Sequence, residues 1–312
     1  MYHGISKYPM KVECWTQLPY SKFEWQINYL AKHYSILSLN EVIARIKNNE
    51  LLENNIAIIT FDDGFNNNYT NAFPLLKEKR LQATICLSTN YIGTNNLIWA
   101  DNLYVELNNT RSQSLNLVDK GLENYSIDFP EAKAMCLRKI VAHLKRVSTK
   151  EKQNLIQTIK ERLVKPDNCF EEMSEFLLMN WNSVKEMLAS GLIDFGAHTA
   201  NHEILTNLTE EELEFEINSS CDTLKSYINP KFLTFAYPNG EANDFSDSSK
   251  ELLKINNVQC ALTTISGLNT YHEDLFELKR IGIGSDISNS QFKLRCSGFF
   301  IWLKGLLNHD RK

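Results

Sequence analysis

The stretch Ile56-Ala57-Ile58-Ile59-Thr60-Phe61-Asp62-Asp63-Gly64 decides how this chain is read. Up to Phe61 it is apolar and largely β-branched, the composition of a buried strand. It then stops at two adjacent carboxylates and a glycine that lets the backbone turn sharply. In a parallel α/β barrel, catalytic groups gather at the C-terminal ends of strands, which is where Asp62 and Asp63 fall. A second segment, Phe195-Gly196-Ala197-His198-Thr199-Ala200-Asn201-His202, places two histidines just past the short apolar run 191–195. Their i, i+4 spacing puts both imidazoles on one face if the segment is a helical turn. Two His and one Asp form a set of N and O donors suited to a divalent transition metal with open positions. A further Asp beside the ligand is placed to act as a base, which is the equipment of a metal-assisted hydrolase. Taken singly, Asp-Asp-Gly after a strand is often only a turn, and His-x-x-x-His is often a surface pair. Both together, at the ends of plausible strands, argue for a site.

Outward from these segments the chain alternates strand-like and helix-like pieces. Ser21-Lys22-Phe23-Glu24 and Ser38-Leu39-Asn40-Glu41 read as capping boxes opening helices. Strands are expected over 56–61, 83–87, 193–195, 232–236, 259–264 and 278–283, with helices over 69–79, 181–189, 209–227 and 246–255 between them. Alternation of this kind implies a mostly parallel sheet, here closed into a barrel. Residues of about 100–178 break the rhythm: they are polar, helix-rich and without a clear strand, and read as a helical insertion within a single domain spanning 1–312.

Composition places the 312 residues in the ordinary globular class, with 43% hydrophobic and 23% charged side chains. A net charge of −5 argues against a nucleic-acid footprint. The seven cysteines are scattered, without a Cys-x-x-Cys pair, and read as reduced thiols. No basic segment followed by an apolar stretch opens the chain, so a cytoplasmic protein is expected. The segment of about 291–307 is apolar with basic punctuation and too charged to span a bilayer. It reads either as an interfacial helix resting on the inner membrane face or as a helix closing the barrel or forming a subunit contact.

The two segments resemble the polysaccharide deacetylase family, the NodB-homology group of carbohydrate esterases. Thr60-Phe61-Asp62-Asp63-Gly64 matches its TFDDG motif, and His198-Thr199-Ala200-Asn201-His202 its H-[ST]-x-x-H motif. Tyr2-His3-Gly4 resembles the first strand, 181–191 the approach to the histidines, and Phe235-Ala236-Tyr237-Pro238-Asn239-Gly240 the third motif. The resemblance implies a distorted (β/α)-barrel of the NodB-homology type. It implies that Asp63, His198 and His202 hold a divalent metal, most often zinc, with cobalt or nickel as substitutes. Asp62 is then the general base on water, and the backbone N–H of Asn239 helps hold the oxyanion. The implied substrate is an N-acetylated amino sugar of a cell-surface polysaccharide or its precursor.

Departures from the family pattern are equally informative. The third motif begins with Ala236 where better-known members carry an Arg that orients the catalytic Asp; Arg280 is the candidate replacement, its plain alternative being an ion pair at the barrel rim. The segment 280–285 lacks the histidine that many members use as general acid. His3 and His272 are candidate pocket residues, and Trp99, Trp181 and Tyr237 are candidates for a sugar platform. O-deacetylation on the same scaffold, or a sugar-binding homologue with impaired turnover, are the competing readings.

Overall fold

The computed structural model describes residues 1–10, 12–164 and 173–298. In chain order its strands are β1 (Gly4–Ser6), β2 (Gln17–Pro19), β3 (Ser35–Ile36), β4 (Ile56–Ala57), β5 (Ile59–Phe61), β6 (Ala83–Leu87), β7 (Ser114–Asn116), β8 (Asn124–Ser126), β9 (Ile193–Ala197), β10 (Thr234–Ala236), β11 (Cys260–Ser266) and β12 (Leu278–Arg280). The α-helices are α1 (Tyr20–His33), α2 (Leu39–Lys47), α3 (Phe73–Glu78), α4 (Trp99–Asn109), α5 (Pro130–Leu144), α6 (Thr149–Arg162), α7 (Trp181–Ala189), α8 (Glu210–Tyr227), α9 (Asp247–Ile255) and α10 (Asn289–Cys296).

Six strands form one parallel sheet in the order β12-β11-β10-β9-β6-β5. β6 is buried along its whole length, as expected of a parallel strand covered on both faces. The sheet curls until its edges meet across the first residues of the chain. The N–H of Tyr2 donates to Thr60 and its carbonyl accepts from Asp62, beside β5. On the other side Met1 donates to the Ile281 carbonyl at 2.9 Å and accepts from the Ile283 N–H, just past β12. Residues 1–3 thus fill the seam, and the fold is a distorted (β/α)-barrel. Tyr2, Phe23 and Phe61 pack within 6 Å of one another under that seam, Phe23 edge-on to the other two rings, each side chain contributing about 1.5–3 kcal/mol by its burial.

Local chemistry sets several boundaries differently from expectation. The first helix begins at Tyr20, with Pro19 at its N-cap and no side-chain cap, so Ser21 is an exposed first-turn residue and not a cap; the fixed φ of proline starts the helix early. Ser38 does cap α2, accepting from the Glu41 N–H, while the Glu41 carboxylate pairs with Arg45 at 2.5 Å. Thr209 caps α8 with a full capping box. The expected strand 56–61 is two strands: β4 pairs with β3, and β5 alone enters the main sheet. The expected helix over 69–79 opens with a π-helical turn, Asn68–Ala72, before Pro74 starts the α-helical part.

The insertion is not free of strands. β7 and β8 form an antiparallel pair, Leu115 facing Tyr125; short runs with one buried residue among polar ones gave too weak a period to read. Together with α4, α5 and α6 the pair encloses a hydrophobic cluster built on Leu103, Leu107, Ile140, Leu144 and Ile159, and Trp99 and Leu137 pack against both this cluster and the barrel core. No helix among the described residues is long and apolar enough to cross a membrane. Of the segment of about 291–307, the part up to Gly298 is described: Phe292 of α10 is buried edge-on against Trp25 and Tyr29 of α1. The remainder lies outside the described residues.

Candidate active site

Every group singled out at the motifs lies past the C-terminal end of a barrel strand or on its last residue. β5 ends at Phe61, and Asp63 follows in the left-handed region with φ 72°. Gly64 continues the turn at φ 90°, where a Cβ would stand 2.5 Å from the Leu87 side chain. This backbone aims the Asp63 carboxylate across the barrel mouth. β9 ends at Ala197, directly before His198. The turn 198–202 is not helical: Thr199 (φ 61°) and His202 (φ 57°) are both left-handed. The imidazoles nonetheless converge, their centroids 4.9 Å apart.

Oδ1 of Asp63 lies 3.5 Å from Nε2 of His198 and 3.2 Å from Nε2 of His202. One donor atom from each residue fits within a 4.8 Å span. Nδ1 of His198 is 2.8 Å from the Ala236 carbonyl. A carbonyl only accepts, so that nitrogen carries the proton and Nε2 keeps its lone pair toward Asp63. Oδ1 of Asp63 and Nδ1 of His202 are buried and have no well-aligned hydrogen-bond partner among the described residues. A buried carboxylate oxygen facing two ring nitrogens without a hydrogen bond is the environment a divalent cation completes. Burial pushes the Asp63 carboxyl up, but His198 and His202 hold it well below the usual carboxylate range. Burial lowers His202 and favours its neutral, ligating form, whereas at His198 the pull of Asp63 outweighs burial and raises it.

Asp62 is held by a fork. Nη1 of Arg280 donates to Oδ1 at 2.8 Å and Nη2 to Oδ2 at 2.7 Å, with both side chains at most 5% exposed. Nε of Arg280 donates to the Thr263 carbonyl at 2.7 Å, fixing the plane of the guanidinium. Burial would raise Asp62, but Arg280, assisted by His198 and His3, lowers it to about 2. At the slot where an Arg was expected, Ala236 is fully buried in a cluster with Cys86, Cys260 and Leu262. The guanidinium arrives from β12 instead.

Asn239 sits at φ 60°, and its backbone N–H donates to no protein group among the described residues. Its side chain is fixed by Lys145 and Asp244, each at 2.5 Å. His3 is 9% exposed, edge-on to Trp15, and its Nδ1 has no hydrogen-bond partner among the described residues. Burial lowers it, while Asp63 and Asp62 pull it back up. His272 is exposed on a loop. Of the three expected platform aromatics, Tyr237 is fully buried against Phe245 and Trp181 is stacked on Tyr227, so both are packing residues. Trp99 is the one at the site, its Nε1 donating to the His202 carbonyl at 3.4 Å.

The model of the polysaccharide deacetylase family matches residues 51–258, from the approach to the first carboxylate pair to the start of β11. The chain belongs to the polysaccharide deacetylase family. Its curated relative YxkH of Bacillus subtilis (strain 168), named as a polysaccharide deacetylase, is 31% identical over 94 residues, which span 30% of this chain and about a third (32%) of that protein. Deacetylases of known structure share the fold. Streptococcus pyogenes PplD, solved in complex with acetate, is 20% identical with a TM-score of 0.59, covering 95% of this chain and 96% of that one. IcaB of Ammonifex degensii is 15% identical with a TM-score of 0.57, covering 95% and 93%.

Motif reading missed the groups that brace this site. Lys152 of α6 forms a buried ion pair with Glu203, the residue after His202, and its Nζ lies 5.0 Å over the Trp99 ring. Glu216 of α8 accepts from the backbone and side-chain N–H groups of Asn201 at 2.8 and 2.7 Å. Asp101, in the first turn of α4, is pushed well above the usual carboxylate range by burial and then by Asp63. None carries a local signal; each sits on a helix whose remaining charges are solvated.

Proposed function

We propose that this chain is a metal-dependent deacetylase that hydrolyses the N-acetyl group of an amino sugar in a polysaccharide or its precursor. The observation that carries the reading is the pairing of two carboxylates with opposite duties. Asp63 faces His198 and His202 with an oxygen that has no hydrogen bond among the described residues. Asp62, one residue earlier, is kept ionised by Arg280. Asp63, His198 and His202 would hold a divalent ion, which when bound polarises an amide carbonyl and lowers the pKa of water. Zinc suits two imidazoles and a carboxylate, and cobalt or nickel fit the same donors.

The chain's own residues supply the rest. Asp62 accepts the proton of the attacking water, and the bidentate fork keeps its carboxylate in one plane. The N–H of Asn239 is free to donate to the amide oxygen as charge develops there. Having taken the proton of the water, Asp62 can return it to the departing amine.

The test is acetate release from N-acetylhexosamine oligomers by zinc- or cobalt-loaded protein, beside Asp62→Ala. Expected is acetate from the parent, and loss of turnover with metal retained in the variant. Acetate unaffected by Asp62→Ala removes Asp62 from the base role. Acetate from esters alone makes the chain an O-deacetylase, and tight glycan binding without acetate under any metal makes it a binding homologue.

A further inference from the structure

The loop that follows β10 carries Asn239, and all but one of the polar groups of that residue are tied down. Its Oδ1 accepts from Nζ of Lys145 at 2.5 Å, and its Nδ2 donates to Oδ2 of Asp244 at 2.5 Å. Its carbonyl accepts from the Thr264 hydroxyl at 2.6 Å. Its backbone N–H is the group that donates to nothing among the described residues. Lys145 reaches this loop from outside the barrel, as the residue on which α5 of the insertion ends. Its own carbonyl accepts from Nδ2 of Asn207 at 2.9 Å, which anchors its backbone to the turn that follows the two histidines. The neighbouring Thr206 hydroxyl donates to the Asn243 carbonyl at 2.8 Å, so the same turn also holds the loop after β10.

Asn239 stands in the left-handed region at φ 60°, a conformation that asparagine tolerates better than most L-residues but that still needs support from its surroundings. The support here is a bridge of charges. Burial lowers the Lys145 ammonium while Asp244 and Glu241 pull it back up, and the Asn239 amide links the ammonium at one end to the Asp244 carboxylate at the other. Charge-assisted hydrogen bonds of this kind are shorter and stronger than neutral ones, so two of them fix the side chain and, with Thr264, the peptide plane. What is left over is one aimed donor. We propose that Lys145 is a positioning residue for the hydrolysis: it acts through Asn239, holding it so that its N–H meets the amide oxygen as negative charge develops there. The inference rests on the deacetylase reading above, and it gives the insertion a part in the chemistry as well as in the packing.

The test pairs a spectroscopic readout with kinetics. Pro238-Asn239 is the one Pro-Asn pair in the sequence, so carbonyl-13C proline combined with 15N asparagine marks the Asn239 amide alone. In the zinc-loaded parent that amide proton should move downfield as acetate is titrated in, and in Lys145→Met the movement should vanish. Acetate release from N-acetylglucosamine oligomers should fall about ten- to a hundredfold in kcat with KM unchanged, because the N–H acts on charge present only in the transition state. Lys145→Arg should recover part of the loss, and metal content and thermal midpoint serve as controls for folding. Adding Lys145→Met to Asn239→Gly, which keeps the N–H and lacks the side-chain amide, should cost nothing further. Parental kcat in Lys145→Met, a loss carried by KM, an amide response that survives, or losses that multiply in the double variant overturn the positioning role. A parent that releases no acetate yet shows an amide response dependent on Lys145 removes the deacetylase reading and keeps Lys145 as the organiser of that N–H. A parent with neither turnover nor response overturns both.

Discussion

Replacing Arg280 by Gln tests the carboxylate logic of the site. In the parent, burial raises Asp62 and the guanidinium overrides it, holding the group at about 2 against an ordinary value of 3.8. The depressed value means that Asp62 adds stability above pH 3.8 and loses it as pH falls through about 2. Losing the guanidinium removes the largest lowering influence and leaves burial opposed only by His198 and His3, so Asp62 moves up from about 2. The acid limb of kcat/KM should therefore rise by up to about 2 pH units, equivalent to roughly 2–3 kcal/mol. The stability that Asp62 adds above pH 3.8 shrinks accordingly, so Arg280→Gln should lose less stability on acidification than the parent. At neutral pH an unpaired buried carboxylate costs roughly 3–5 kcal/mol. The assays are acetate release and thermal unfolding from pH 2 to 9, with Arg280→Lys as the partial replacement that keeps charge and loses the fork. An unchanged acid limb together with an unchanged unfolding profile would refute the argument.

Further outcomes follow from the same geometry. Asp63→Ala should bind zinc at least about tenfold more weakly by competition against a chromophoric chelator; parental affinity would remove Asp63 from the ligand set. Lys152→Met should cost about 3–5 kcal/mol in denaturant unfolding by leaving Glu203 unpaired, and Lys152→Met/Glu203→Leu should recover much of it; additive losses in the double variant count against a coupled pair. Gly64→Ala should destabilise by more than about 1 kcal/mol, since φ is 90° and the new Cβ meets Leu87 at 2.5 Å; a neutral result would mean the turn relaxes freely.

Sequence alone determined the parts of this protein that depend on near neighbours. A β-branched run must be a strand, and what directly follows Phe61 and Ala197 must stand at strand ends, so Asp62, Asp63 and His198 were legible as rim residues from local order. Which of the two carboxylates faces the histidines came from the motif resemblance and not from local order. The tertiary structure decided what distant segments share. β5 and β12 are the opposite edges of the six-stranded sheet, and Arg280 reaches Asp62 only because the sheet closes across residues 1–3. The His198–His202 turn is not the helical turn its spacing suggested; convergence comes from left-handed Thr199 and His202, braced by Glu216 and by the Lys152–Glu203 pair. No local pattern announces such partners. Burial and charge pairing are properties of enclosed volume, and volume exists only once the barrel and its insertion have closed on each other.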